Sequence, residues 1–278
     1  MKKIILLLSL LVSITLSAYN DSDFDGVEDS LDRCPNTSFT DLVDISGCSV
    51  KSLVSPHHYD IIVGANYYSS DSKTLTATDT LSSSVQMDYY YKNFSLQLST
   101  SYFSTSGSGY SSTGLNDSFI GGSYQIQPTN NLSIRVGAGA LLPTYNTSLN
   151  NNKTDYQASF NLSYTIDKVN LFTGYSYTMI NDTDTVIRID ANTSTPVNYQ
   201  NTNAVSAGLG YYMTNKLYMS LAYNISNSIY KGIGDIQTAS LYGYYSLSEH
   251  WFSTFSYAKG LSDSATKNYA SVRVGYYF

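Results

Sequence analysis

The feature that most constrains this chain is a period of two. From about residue 57 onward, apolar residues take every second position in run after run. Leu132, Ile134, Val136, Ala138, Ala140 and Leu142 alternate with Ser133, Arg135, Gly137 and Gly139. Phe94, Leu96, Leu98 and Tyr102 alternate with Ser95, Gln97, Ser99 and Ser101. The pattern recurs at Leu217, Met219, Leu221, Tyr223 and Ile225. It recurs again at Ala270, Val272, Val274, Tyr276 and Phe278, with Ser271, Arg273 and Gly275 between them. Successive side chains of a strand point to opposite faces, so each run is a strand with one apolar face and one small or polar face.

These runs are long, roughly 10–15 residues against about 5–6 for an ordinary globular strand. A soluble sandwich would charge its outer face. Here the face opposite the apolar one is Ser, Thr, Asn, Gly and Tyr, and charged residues make up only 13% of the chain. Long alternating segments with a polar inner face and aromatic ends are the pattern of a transmembrane barrel. Closure into a barrel also leaves no unpaired strand edge, which lipid requires. The 28 tyrosines suit the membrane boundary, because each ring is apolar and each hydroxyl wants water. Tyr89-Tyr90-Tyr91, Tyr211-Tyr212, Tyr244-Tyr245 and Tyr276-Tyr277 fall near strand ends.

The fold class is therefore all-β: a transmembrane, antiparallel, up-and-down β-barrel of about 12 strands. The strands are expected at 57–70, 78–91, 94–106, 114–127, 131–144, 153–167, 169–183, 197–213, 216–231, 234–247, 250–262 and 265–278. A ten-stranded count stays open, because 184–200 either extends two strands or forms one long loop. Tight turns are expected at Tyr91-Lys92-Asn93, Pro128-Thr129-Asn130, Asp167-Lys168, Thr214-Asn215 and Ser248-Glu249. Longer links fall at 71–77, 107–113, 145–152 and 184–196, while those at 232–233 and 263–264 are short. Short turns belong on the periplasmic side and long loops outside, and an even strand count puts both barrel ends in the periplasm.

The front of the chain fits that destination. Two lysines precede an apolar run from Ile4 to Leu16 that closes on Ser17-Ala18, the pattern of a secretory signal peptide over 1–18. The run is shorter than the roughly 20 residues of a membrane-spanning helix. The chain has two cysteines, Cys34 and Cys48. In an oxidising compartment such a pair predicts a disulfide. Closing a loop of that size contributes about 3 kcal/mol in the chain-entropy model.

Between signal and barrel lies DSDFDGVEDSLDRCP, residues 21–35, with five aspartates and a glutamate. An acidic run alone is a solvated spacer. Here the spacing says more. Asp21, Asp23, Asp25, Asp29 and Asp32 occupy positions 1, 3, 5, 9 and 12 of a 12-residue loop, Gly26 sits at position 6, and Val27 at position 7 offers its carbonyl. Those are the ligand positions of a 12-residue calcium loop. The departure is position 12, where Asp32 replaces the long bidentate glutamate. Residues 21–48 resemble a thrombospondin type 3 repeat, a family whose aspartates wrap calcium and whose disulfide pins the segment. The resemblance implies calcium as cofactor and a calcium-binding segment over 19–50, joined by a linker at 51–56 to the barrel at 57–278.

The C-terminal strand, ending GYYF, resembles the last strand of bacterial outer-membrane barrels. That resemblance implies recognition of the end at Phe278 by the barrel insertion machinery, outer-membrane lipid as a partner, and an N-terminal segment in the periplasm. The formal net charge of −6 offers no basic patch for nucleic acid. The three histidines, His57, His58 and His250, form no catalytic grouping with a serine or a paired acid, so a non-enzyme is expected. The inward-facing charges expected in the lumen are Arg135, Arg273, Asp88 and Asp155. Three readings remain: a passive channel for small solutes, a plugged structural or adhesive anchor whose loops, above all 184–196, meet partners, or a soluble secreted β-protein with a calcium handle.

Overall fold

The computed structural model describes residues 27–34, 46, 56–70, 77–107, 110–145, 152–188 and 194–278. The chain divides into two units, Met1–Ser55 and Pro56–Phe278. The expected signal peptide and most of the calcium loop lie outside the described residues.

The second unit is all-β. Its strands are β1 (His57–Ser70), β2 (Thr78–Tyr91), β3 (Phe94–Gly107), β4 (Tyr110–Leu115), β5 (Ser118–Thr129), β6 (Leu132–Leu142), β7 (Asp155–Ile166) and β8 (Val169–Met179). There follow β9 (Thr185–Arg188), β10 (Ser194–Val197), β11 (Thr202–Tyr212), β12 (Leu217–Ser226), β13 (Ile236–Ser246), β14 (Trp251–Gly260) and β15 (Asn268–Tyr277). Each stave is antiparallel to its neighbours, and β1 pairs with both β2 and β15, which closes the sheet. With β4 and β5 sharing one stave, and β9 and β10 pairing only with each other, the barrel has the 12 staves that the alternation predicts. Closure satisfies the backbone without exposing an edge to lipid.

Three expectations are corrected. The fourth stave runs over 110–129 rather than 114–127, and it is broken at Asn116-Asp117. Leu115 pairs with Tyr102 while Phe119 pairs with Ser99, so the fourth stave carries one extra residue there. Asn116 marks the bulge: its amide donates to Ser101 O (2.8 Å) and its Nδ2 to Ser101 Oγ (2.7 Å). A bulge of this kind flips the face on which odd residues lie, which defeats a simple parity reading. The link expected at 107–113 is mostly strand, since β3 and β4 continue as a ribbon to Gly107 and Tyr110. The link at 184–196 is a hairpin of its own, β9–β10, rather than an extension of two staves.

Short turns gather at the end that holds both barrel termini. Lys92 and Asp167 have positive φ (52° and 51°) in the β2–β3 and β7–β8 turns, the backbone conformation of tight hairpin turns that match the right-handed strand twist. The outer surface is an apolar belt, with Val63, Leu81, Leu98, Leu209, Leu221 and Val272 all exposed. Aromatic girdles bound it. At the turn end Tyr59 stacks on Phe278 (5.7 Å), and Trp251 meets Tyr276 edge-on (4.9 Å). At the loop end, outward tyrosines give their hydroxyls to a neighbouring stave: Tyr67 to Asp79 (2.7 Å), Tyr175 to Asn203 (2.7 Å), Tyr223 to Gln237 (2.9 Å) and Tyr257 to Asn268 (2.9 Å).

Of the first unit, one turn is described. Glu28 O accepts the amides of Leu31 (2.7 Å) and Asp32 (2.9 Å), and Arg33 N donates to Ser46 O (2.9 Å).

Candidate functional site

The candidate site is the barrel lumen, and alternation builds it. Even-numbered positions of β1 and β2 face inward, presenting Asp60, Ile62, Gly64 and Asn66 beside Ser82, Ser84, Gln86, Asp88 and Tyr90. Polar inner side chains are tied to the wall. Asn66 donates to Ser82 Oγ (3.1 Å) and accepts from Ser271 Oγ (2.7 Å). Asn170 donates to Ser163 Oγ (2.6 Å) and Thr165 Oγ1 (2.9 Å), and Asn224 to Ser240 Oγ (3.0 Å). Each asparagine thus bridges adjacent staves, which satisfies buried amides and keeps them off the axis. Aromatic rings also lie flat against the wall where glycine makes room. Phe119 lies across Gly121 and Gly139, and Phe252 across Gly275, where an added Cβ would meet ring carbons at 2.5 Å or less.

The space left is substantial. One cavity of about 480 Å³ is walled by Ser95, Ser99, Ser123, Arg135, Gln157 and their neighbours. A second, of about 490 Å³, is walled by Asp60, Tyr242, Tyr244, Phe252 and Arg273 among others. Gln86, Asp88 and Tyr90 belong to both walls, so the two spaces meet at β2.

Of the four lumen charges expected from sequence, three come together and one does not. Gln86 links the first two: its Nε2 donates to Asp88 Oδ2 (2.7 Å), and its Oε1 accepts from Arg273 Nη2. Arg135 donates to Gln125 Oε1 (2.8 Å) and shares a cavity wall with Asp88. Asp155 stands at the loop end of β7, where its Oδ1 accepts Asn181 N (2.7 Å). It is one of several rim staples. Asp117 Oδ1 accepts Tyr145 N (3.0 Å) and Asn152 Nδ2 (2.8 Å), and Asp182 Oδ1 accepts Lys153 N (2.9 Å).

Sequence reading missed Asp60. It is the register partner of Asp88, and both carboxylates face the lumen. The signal was present, since Asp60 shares parity with Gly64 and Asn66 between the outward Tyr59, Ile61 and Val63. The histidines lie at the turn end, and His250 is part of the second cavity's wall. His57 Nδ1 lies 2.7 Å from Tyr89 OH, His58 Nδ1 lies 2.8 Å from Tyr277 OH, and His250 Nδ1 lies 3.1 Å from Tyr277 O, all at the turn end.

Of the expected calcium ligands, Val27, Asp29 and Asp32 are described and Asp21, Asp23 and Asp25 lie outside the described residues. Asp32 Oδ1 accepts the amide of Cys34 (2.8 Å). Cys48 also lies outside the described residues.

No family model matches the chain, and no characterised protein matches it in sequence. Solved structures with a similar course include the NanC porin, 13% identical, with 78% of this chain and 97% of that one covered at a TM-score of 0.47. The translocator domain of the autotransporter NalP from Neisseria meningitidis is 10% identical, with 82% and 91% covered at 0.48. The KdgM porin is 13% identical, with 77% and 99% covered at 0.44. At these values the likeness carries nothing about solute or partner.

Proposed function

We propose that this protein is a bacterial outer-membrane channel for passive passage of small solutes, with a calcium-binding segment in the periplasm. One observation carries the reading: a closed 12-stave barrel, apolar outside, encloses two polar cavities that share the Gln86–Asp88–Tyr90 wall. The apolar belt between two aromatic girdles fits a bilayer. The wall-hugging asparagines and glycine-seated rings leave solvent space along the lumen.

The chain enters the barrel at the short-turn end, which is the periplasmic end in bacterial barrels. Asp21, Asp23, Asp25, Val27, Asp29 and Asp32 would hold calcium. All are oxygen donors, the set a hard cation takes. The Cys34–Cys48 disulfide would pin the segment. The Arg33–Ser46 backbone bond supports it by bringing the two stretches together, and no cysteine is free among the described residues. Phe278 is the end we assign to the insertion machinery.

The test is single-channel conductance of the refolded full chain in a planar bilayer, first with calcium and then with chelator. Steady open current is expected. A silent barrel that still shows heat-modifiable gel mobility overturns the channel reading. It would favour the alternative, a non-conducting structural or adhesive anchor, which the separate β9–β10 hairpin with its exposed Val186 supports.

A further inference from the structure

One aromatic ring in the lumen lies on a floor that has no side chains. Gly121 and Gly139 are register partners on β5 and β6. A Cβ added to Gly121 would meet Phe119 Cζ at 2.5 Å and Cε1 at 2.8 Å, and one added to Gly139 would meet Cζ at 2.5 Å and Cε2 at 2.6 Å. The two edges of the ring thus lie over two neighbouring strands, and the ring is parallel to the wall. One face rests on the glycines. The other faces the 480 Å³ cavity that Phe119 helps to wall. Apolar surface turned toward water costs free energy until something covers it.

The register sets what surrounds the ring. Gln97 pairs with Gly121, and Gly139 pairs with Gln157. Gln97, Gly121, Gly139 and Gln157 therefore form one row across adjacent staves, with the ring in the middle and an amide on each side. Inter-strand steps of about 4.8 Å put the two outer α-carbons roughly 14 Å apart. Both glutamines wall the cavity with the ring. Gln157 Nε2 donates to Thr178 Oγ1 (3.3 Å), which leaves its carbonyl as an acceptor. Gln97 makes no side-chain hydrogen bond among the described residues, and its polar atoms are not buried, so its donor and its acceptor are both open to the cavity. One row nearer the turn end, Ser123 and Ser159 add hydroxyls to the same wall. The two charges of the wall, Asp88 and Arg135, are of opposite sign.

From this we infer that the lumen holds a binding station for a neutral hexopyranose, seated with one C–H face on Phe119 and its rim hydroxyls between Gln97 and Gln157. A pyranose is a compact ring with apolar C–H groups on its faces and hydroxyls around its edge. The wall mirrors that arrangement, with one apolar platform and neutral donors and acceptors at its rim. An open-chain polyol has the hydroxyls but no fixed face, and a sugar acid adds a charge to a wall whose own charges balance. The cavity volume lies within the roughly 300–1,000 Å³ of small-molecule sites. This deepens the channel reading and rests on it, since solute reaches the station only through an open lumen.

The test uses the refolded full chain and three solutes of similar size: D-glucose, its open-chain alcohol D-sorbitol and its acid D-glucuronate. Saturation-transfer NMR reads binding, and liposome swelling reads passage. Wild type is expected to bind glucose saturably, with the strongest transfer to ring C–H protons, and to bind sorbitol several-fold more weakly. Phe119→Ala is expected to erase the preference for glucose over sorbitol, which a merely structural role would leave standing. Gln97→Ala is expected to weaken glucose binding about five-fold, the loss of a neutral hydrogen bond. Gel mobility confirms that each variant folds, and Gln97→Ala carries the test should Phe119→Ala fail to fold. Absent or unsaturable glucose binding overturns the station, as does equal binding of sorbitol, tighter binding of glucuronate, or glucose binding that Gln97→Ala leaves unchanged. Saturable glucose binding with no swelling by any of the three solutes overturns the channel reading and leaves the station standing.

Discussion

Tyr59 and Phe278 exchange both backbone hydrogen bonds, Tyr59 N to Phe278 O at 2.8 Å and Phe278 N to Tyr59 O at 3.0 Å. Through them the first and last staves meet at the turn end. The Phe278 ring adds a stack on Tyr59 and a contact with Tyr276, both at 5.7 Å.

Phe278→Ala keeps the backbone pair and removes the rings' contacts. We expect a loss of about 1–2 kcal/mol of barrel stability, read as a lower urea midpoint in lipid vesicles. The yield of heat-modifiable barrel in cells should fall further, because closure and insertion use the same end. An unchanged yield would show that the terminal ring plays no part in assembly.

Leu98 and Ser99 are adjacent on β3 but face outward and into the lumen, respectively. Leu98→Arg puts a charge in the apolar belt, at a cost of about 2–4 kcal/mol near the bilayer midplane. Ser99→Arg projects into the cavity that Ser99 walls. It should fold normally and lower conductance. Equal destabilisation by the two would contradict the assignment of faces.

Asp117 holds the link between β6 and β7 by accepting from Tyr145 N and Asn152 Nδ2. Hydrogen bonds to a charged group are worth about 1.5–3 kcal/mol each. Asp117→Ala should free that link while the barrel stays folded. Limited trypsin digestion after Lys153 is the measurement, with faster cleavage expected in the variant.

Calcium removal should act on the first unit alone. We expect chelator, or the double change Asp23→Ala and Asp25→Ala, to make residues 19–50 of the full chain protease-sensitive without altering barrel mobility on gels. Calorimetric titration of the full chain with calcium should lose its saturable site in the double variant. Unaltered titration would remove calcium from the account of this protein.

Barrel class and the inward direction of Arg135, Arg273 and Asp88 were legible in the sequence, while the stave number was narrowed to ten or twelve. All follow from a period of two, which is a local property of extended backbone. The turn positions were legible too, because Lys92-Asn93 and Asp167-Lys168 interrupt the alternation at short intervals. The fourth stave was misread because its small polar start at 110–113 looks like a link, and because the extra residue at Asn116-Asp117, which reverses parity, does not show in the alternation.

What the sequence alone determined, then, is which side chains face outward and which face the lumen. Only the tertiary structure decided which lumen groups meet. Arg273 reaches Gln86 across 187 positions of sequence, through a closure that joins β15 to β1. The pairing of Asp60 with Asp88 depends on the β1–β2 register, and a slip of one residue would turn one carboxylate toward lipid. Register and closure come from the whole ring of staves fitting together, so no local pattern could place Arg273 beside Gln86 or Asp60 opposite Asp88. Asp155 shows the same limit from the other side: its parity was right, but the loop it staples was invisible until the staves stood side by side.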